Sequence, residues 1–259
     1  IAVKKLKITT SAMAKYFISE EIYQNYELKN KLTNYVGPIV RRGFSERVVS
    51  FYKSRFFRAD KINILDCGSA SGAFIKQMYQ KGISNDIYGL DIDDYINPEN
   101  KPFLKEFKVV DLNQEKIPYP GSFFNIVTAW CVLPHLENPH NFVREVHRTL
   151  KKDGLFIFTL VNINSMPNRK YFYKYGDLPG FHEGNNHITL FTPAIFKKTV
   201  LKYFNLVGQE YYLNPRVFDG VKGAVRNLVY KAAGILGGKF KLRLSNRWSP
   251  KIAFVLQKQ

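Results

Sequence analysis

Along the middle of the chain, short apolar runs alternate with stretches whose apolar positions recur every three or four residues. Ile62–Asp66, Asp86–Asp91, Phe107–Asp111 and Phe124–Trp130 each read as a strand. Leu155–Val161 is apolar throughout, the pattern of a strand buried on both faces. Between the runs, Gly72–Tyr79 has helical spacing. So does a stretch from about Pro139 to Lys151, with Phe142, Val146 and Leu150 at i, i+4 and i+8. Its stop is Lys151-Lys152-Asp153-Gly154: basic residues facing the helix's negative end, and Gly154 suited to a left-handed cap. This alternation predicts an α/β fold with a doubly wound, mostly parallel sheet and right-handed crossovers.

The flanks differ. Residues 1–60 read as a helical cap, with Val48, Val49, Tyr52 and Phe56 on one apolar face. Residues 163–192 are rich in Asn, Gly, Tyr and His and show no clear element, which suits a functional loop. Thr192-Pro193 starts a helix with N-cap and first-turn residues in place. Leu206–Leu213 and Lys251–Leu256 read as two last strands. Between them Val221–Leu236 places positions 221, 224, 225, 228, 229, 232 and 233 on one helical face. The expected layout is therefore a cap (1–60), a core (61–162) and a C-terminal part of the same domain (163–259).

Composition narrows the class. The 259 residues are 45% hydrophobic and 15% aromatic, too apolar for a disordered chain. No apolar run approaches the ~20 residues of a membrane-spanning helix. The first residues carry no apolar signal core and the two cysteines build no disulfide framework, so a reduced, cytoplasmic setting is expected. The net charge is +18. Residues 61–160 carry 11 basic and 12 acidic side chains, whereas 1–60 carry 12 and 5, and 161–259 carry 16 and 4. Basic flanks around a neutral core favour a polyanionic partner, whether nucleic acid, anionic membrane or acidic substrate. A general Lys bias, alongside abundant Asn, Ile, Tyr and Phe, produces the same numbers, and both readings stay open.

The chemistry concentrates in Asp66-Cys67-Gly68-Ser69-Ala70-Ser71-Gly72. An acid ends a strand, and a glycine-bearing turn opens a helix. Gly68 permits a tight turn and close approach of a ligand, and Gly72 permits close packing of helix on strand. A nucleotide-like ligand is expected at the carboxyl end of the sheet. Asp91 ends the second strand, where a carboxylate can accept both hydroxyls of a ribose. Asp111 follows the third, where it can accept from an adenine amino group. The glycine spacing and the position of the first acid do not fit a dinucleotide fingerprint.

These residues resemble the motifs of the class I S-adenosylmethionine-dependent methyltransferases, in their small-molecule, ubiquinone-biosynthesis-like subset. Asp66–Gly72 is similar to D-x-G-x-G-x-G, with Ala70 for the middle glycine. Tyr88–Ile92 and Val110–Leu112 resemble the second and third motifs. Ile117–Val127 resembles the segment "lPfpdgsFDvV", with Asn125 for its Asp; Arg148–Gly154 resembles "RvLkpgG"; His187–Pro193 resembles the stretch before the last large helix. The resemblance spans about residues 60–215. It implies a seven-stranded Rossmann-like sheet and a methyl transfer that leaves S-adenosylhomocysteine. It implies cofactor contacts at Asp66, Cys67, Gly68, Ser69, Ala70, Gly72, Asp91, Ile92, Asp111, Leu112, Ala129 and Trp130. His135, in Val132-Leu133-Pro134-His135-Leu136, matches a histidine beside the methyl donor, and His187 a histidine that faces the active site. Either can serve as the base or simply position a loop. His140 and His182 are expected at the surface.

No metal is expected: the "E-x-x-E-H" run of some relatives is replaced by Cys131-Val132-Leu133-Pro134-His135, and Mg²⁺ wants oxygen ligands. Cys67 and Cys131 are expected to line the cofactor pocket. Tyr171, Phe172, Tyr173 and Tyr175 interleave with Arg169, Lys170 and Lys174, either to stack on a substrate or to pack a lid. Tyr26, Arg41 and Arg42 are candidates to cover the cofactor. The Val221–Leu236 helix, with Lys222, Arg226 and Lys231 beside its apolar face, can lie on an anionic membrane or bury that face on its own domain. The expected acceptor is an oxygen or nitrogen of a small or lipid- or carrier-linked, anionic substrate such as a quinone precursor, sugar or glycan intermediate. RNA methylation and a non-catalytic, methyltransferase-like binding subunit are the rival readings.

Overall fold

The computed structural model describes residues 43–58, 62–181, 186–213, 220–236 and 238–259. Tyr26, Arg41, Arg42 and His182, with most of the expected cap, lie outside the described residues. In chain order the elements are α1 (Phe44–Phe56), β1 (Asn63–Cys67), α2 (Ala73–Gln80), β2 (Asp86–Asp91), β3 (Glu106–Val109), β4 (Phe124–Ala129), α3 (Pro139–Thr149), β5 (Leu150–Val161), α4 (Met166–Tyr175), α5 (Pro193–Thr199), β6 (Phe204–Tyr212), α6 (Gly220–Leu236), α7 (Gly238–Trp248) and β7 (Lys251–Lys258). Short 3₁₀ turns lie at Pro98–Phe103 and Leu133–His135.

The seven strands form one sheet in the order β3-β2-β1-β4-β5-β7-β6. The first five run parallel, and β7 is antiparallel to both β5 and β6. The chain reverses its direction of travel between β1 and β4. There the carboxyl ends of two adjacent strands open a crevice, the usual place for a ligand in such sheets.

Both faces of the sheet's central strands are buried, which explains their near-continuous apolar sequences. Phe156 and Phe158 of β5 pack with Phe142, Val146, Phe196 and Val200 under α3 and α5. Their neighbours Leu155 and Ile157 pack on the opposite face with Val49 and Tyr52 of α1 and Ile75 and Met78 of α2. Tyr52 also donates to Glu210 Oε1 at 3.0 Å, which ties α1 to β6. Arg148, on α3, donates to the carbonyls of Ile117 and Tyr119 at 2.8 and 2.9 Å. Two sequence segments that looked like separate motifs are thus one braced unit.

Four local readings are corrected. The helix from Pro139 stops at Thr149, and β5 begins at Leu150. The left-handed residue there is Asp153 (φ 61°), not Gly154. Gly154 is needed for space: a Cβ would lie 2.8 Å from the Lys151 carbonyl oxygen and 3.2 Å from that of Asn125. Residues 163–192 hold a helix after all, α4, capped by the Ser165 side chain and opened by Pro167. A further helix, α7, follows α6 where the sequence showed none.

Candidate active site

The loop after β1 is held in an unusual backbone form. Gly68, Ala70 and Gly72 all have positive φ, at 73°, 46° and 76°. Two of the three are glycine, the residue that reaches this region without a Cβ penalty. Space matters as well. A Cβ on Gly68 would sit 2.5 Å from Val132 Cγ2, and one on Gly72 3.1 Å from Asn100 Cβ. Ala70 keeps the left-handed turn because its own N–H donates to Asp91 Oδ2 at 2.7 Å. The substitution of the middle glycine therefore leaves the turn intact.

Asp66 and Asp91 face this loop. Asp66 is 2% exposed and accepts from Thr128 Oγ1 at 2.6 Å. Thr128 is its register partner on β4, so the bond spans the point where the chain reverses. Burial is the main force raising the Asp66 carboxyl to about 8, with the charge of Asp91 adding to it and the Thr128 bond opposing it. Asp91 accepts from the N–H groups of Ala70 and Ile92 at 2.7 and 2.8 Å. Burial still pushes it up to about 6. Gly89, beside Asp66 on β2, leaves room for the Ser69 hydroxyl, which donates to the Asp66 carbonyl at 2.9 Å.

The other sequence candidates are arranged differently. Asp111 shares the rim but caps its own turn, accepting from the Asn113 N–H and from Gln114 Nε2. Leu112 is buried in the core. Cys67 and Ala129 are fully buried beneath the rim, so only their backbone can meet a ligand. Burial raises the Cys67 thiol well above its ordinary range. Trp130 packs edge-on against Phe74 and Phe44, and its buried Nε1–H has no hydrogen-bond partner among the described residues. A buried donor without an acceptor is uncommon in folded proteins.

His135 and His187, 52 positions apart in the chain, meet with ring centroids 4.5 Å apart. The segment of His187 is held by N–H bonds from Ile188 and Thr189 to the Pro134 carbonyl, at 2.7 and 3.0 Å. His135 Nδ1 lies 3.2 Å from the Asn186 carbonyl oxygen. A carbonyl only accepts, so Nδ1 carries the proton and Nε2 keeps its lone pair. Burial lowers His135 to about 4, so the ring is neutral near pH 7. Lys251, at the start of β7, donates to Cys131 Sγ at 3.2 Å. Cys131 is itself in a left-handed conformation (φ 61°), fixed by its N–H bond to Thr159 Oγ1. His140, expected at the surface, is half-buried with its ring 6.0 Å from Phe191.

Sequence reasoning missed Thr128, Asn186, Val132 and Lys251. Thr128 alone left a trace, as a polar residue in an apolar strand directly opposite Asp66. The departures from the family pattern have local reasons. Asn125 lies at the amino end of β4, away from the rim, where its Oδ1 accepts from the Asn63 N–H and from Lys151. Pro134 supplies the carbonyl that holds the His187 segment.

These residues fit S-adenosylmethionine. Two acids at the rim suit a cationic amino-acid part and a ribose, the left-handed loop allows close approach, and the Trp130 N–H is a donor in need of an acceptor. Among the described residues no group of three His, Cys, Asp or Glu is placed to hold a metal.

Comparison with known proteins identifies the family. The model of a family described as "Methyltransferase domain" matches residues 41–205. An uncharacterised protein of Methanocaldococcus jannaschii is 37% identical over 106 residues, 39% of this chain and 37% of that protein. The carboxy-S-adenosyl-L-methionine synthase of Nautilia profundicola is 24% identical over 155 residues, 53% of this chain and 66% of that one. The chain thus matches less than two thirds of the length of either relative. Among solved structures, the [4+2]-cyclase SpnF superposes with a TM-score of 0.57 at 14% identity, covering 93% of this chain and 96% of that one. A protein of Thermotoga maritima described as a S-adenosylmethionine-dependent methyltransferase superposes with a TM-score of 0.54 at 12% identity, covering 95% and 100%. At such identities the structures speak for the fold alone.

Proposed function

The chain belongs to the family described as "Methyltransferase domain"; from that premise we propose that it is a class I S-adenosylmethionine-dependent methyltransferase that methylates an oxygen or nitrogen of a small, anionic, lipid- or carrier-linked acceptor. The observation that carries the acceptor reading is the meeting of His135, neutral through burial, with His187 at the carboxyl rim, with the Lys251 ammonium beside them. An ammonium at the rim suits an acceptor that bears negative charge. An imidazole with a free Nε2 suits one that must lose a proton as it is methylated.

The roles follow from position. Asp66 and the Gly68–Gly72 backbone would hold the methionine part of the cofactor, Asp91 the ribose, and Asp111 the adenine once it exchanges its turn bonds. When bound, the cofactor supplies an electrophilic methyl on a sulfonium, and S-adenosylhomocysteine is the product. The protein's own work is alignment. The rim loops hold the acceptor in line with the methyl and exclude water, which is where most of the rate gain in such displacements originates. His135 Nε2 takes the acceptor's proton, while Asn186 fixes the ring's tautomer from the other side. Quinone precursors and sugar or glycan intermediates fit this chemistry, and a cytoplasmic setting matches the two free cysteines.

The test has two stages. Calorimetric titration with S-adenosylhomocysteine should show tight binding, and its absence would sink the cofactor assignment. Incubation with methyl-labelled cofactor and separated cell fractions should then place label in a small-molecule or lipid fraction. Label appearing in RNA alone would refute the acceptor class.

A further inference from the structure

Helix α6 faces the wrong way for a helix of a globular domain. Among its described side chains the buried or half-buried positions are Gly223, Arg226, Asn227, Tyr230, Ala232 and Ala233. Its apolar positions Val225, Leu228, Val229 and Ile235 are 59%, 70%, 40% and 88% exposed. The sequence leaves open whether this face is covered by the helix's own domain, and among the described residues nothing covers it. Leu242 of α7 is also about half exposed. A contiguous exposed apolar stripe marks an interaction surface.

Charge identifies the partner. From Gly220 to Trp248 the chain holds seven Lys or Arg and no Asp or Glu. Lys222, Lys231, Lys241 and Arg243 are exposed. Pairing this face with its own copy would press two cationic surfaces together with no acid between them. An anionic bilayer instead accepts both parts, apolar side chains below its headgroups and ammonium groups at their level. Among the described residues no helix is long and apolar enough to cross a membrane, so the pair would lie on the surface.

The platform is firmly built. Tyr230 shares a 3.0 Å hydrogen bond with Ser245, and its ring lies 6.2 Å from that of Trp248, which locks α6 to α7. Asn162, just past β5, donates to the carbonyls of Asn246 and Ser249 at 2.7 and 2.8 Å. The helical pair is thereby fixed to the carboxyl rim that carries the active site.

We propose that the exposed face of α6 and α7 docks the enzyme peripherally on anionic lipid. This surface is separate from the catalytic groups and stands whatever the acceptor is. The test is co-sedimentation of the full chain with vesicles of phosphatidylcholine alone and of phosphatidylcholine mixed with phosphatidylglycerol. Binding should require the anionic lipid and weaken with salt. Leu228→Asp with Ile235→Asp, and separately Lys222→Glu with Lys231→Glu, should each weaken it by at least about tenfold. Both variants alter exposed side chains, so melting temperature and S-adenosylhomocysteine affinity should match the parent. No binding by the parent, equal binding to both vesicles, or unchanged binding by both variants would overturn the proposal. So would a concentration-dependent dimer that the aspartate variant abolishes, which would give the face to a second copy. Because cofactor affinity is read separately, failure here does not touch the catalytic assignment.

Discussion

Replacing Asp66 with Asn should stabilise the protein and impair it. The folded-state carboxyl titrates near 8 against an ordinary value of 3.8, because it is buried and lies near Asp91. A raised carboxyl keeps its full contribution to stability below its ordinary value and loses it as pH rises toward the folded value. Each pH unit between about 4 and 8 costs about 1.4 kcal/mol. At pH 7 the ceiling is therefore about 4 kcal/mol, and at pH 5 between about 1 and 2 kcal/mol. Asn has the same shape and can still accept from Thr128, but it does not titrate. Urea unfolding of parent and Asp66→Asn at pH 4.5, 6 and 7.5 reads the difference directly. The gain in stability should be smallest at the lowest pH and grow with each step. Over the same range, S-adenosylhomocysteine affinity should be lower in the variant at every pH. A stability difference that stays flat with pH would refute the argument, because it would mean that Asp66 does not carry the burial cost assigned to it.

The remaining predictions concern the same rim. Gly68→Ala should cost about 2–4 kcal/mol by thermal unfolding, from its left-handed backbone and the overlap with Val132. In a Val132→Ala background only the backbone part, about 1–2 kcal/mol, should remain; an equal cost in both backgrounds would remove Val132 from the account. Asp91→Ala should lose most S-adenosylhomocysteine affinity by calorimetry, and unchanged affinity would refute the ribose assignment. His135→Gln should lower kcat by about 10²–10⁴ with cofactor affinity unchanged, and should abolish the rise of kcat through about pH 4 that the neutral imidazole imposes on the parent. A variant that lost cofactor affinity and kcat together would show a structural role only.

How much of this was legible in the sequence depended on how far each feature reached along the chain. The strands and the acids at their ends could be read because period and position are local properties. Apolar runs ending in Asp66 and Asp91 place two carboxylates on one rim from the sequence alone. The two missed helices failed for the opposite reason. In α4, aromatic and basic residues alternate without an apolar stripe, and only Ser165 and Pro167 marked its start. In α7, Lys241, Leu242, Arg243 and Leu244 alternate so that no single face declares itself. Gly154 was assigned a left-handed role because glycine usually has that role at a helix end, yet here it yields space to two carbonyl oxygens and Asp153 takes the strained angle.

The contacts that turn a cofactor-binding sheet into a candidate catalyst are the least legible of all, because they join distant segments. Nothing near His135 points to Asn186, and nothing near His187 points to Pro134. Yet the Asn186 carbonyl selects the His135 tautomer, and the Pro134 carbonyl sets the ring of His187 against it. The Pro134 partner is a backbone carbonyl, so its part is independent of residue type, whereas Asn186 meets His135 through its side chain as well as its carbonyl. Substitutions at Asn186 that leave the backbone path unchanged should therefore keep the carbonyl bond to Nδ1 and lose only the side-chain contact. A change in the path between residues 180 and 189 should instead disturb both histidines at once. The closeness of Gly180 to His187, where a Cβ would lie 2.9 Å from Nδ1, makes Gly180 the position at which a single methyl would do so. Gly180 has a φ of 88°, which an L-residue resists, so the strain of Gly180→Ala would act on the histidine pair rather than on the cofactor rim. Methyl transfer lost with cofactor affinity intact is the expected result, and loss of both would contradict it.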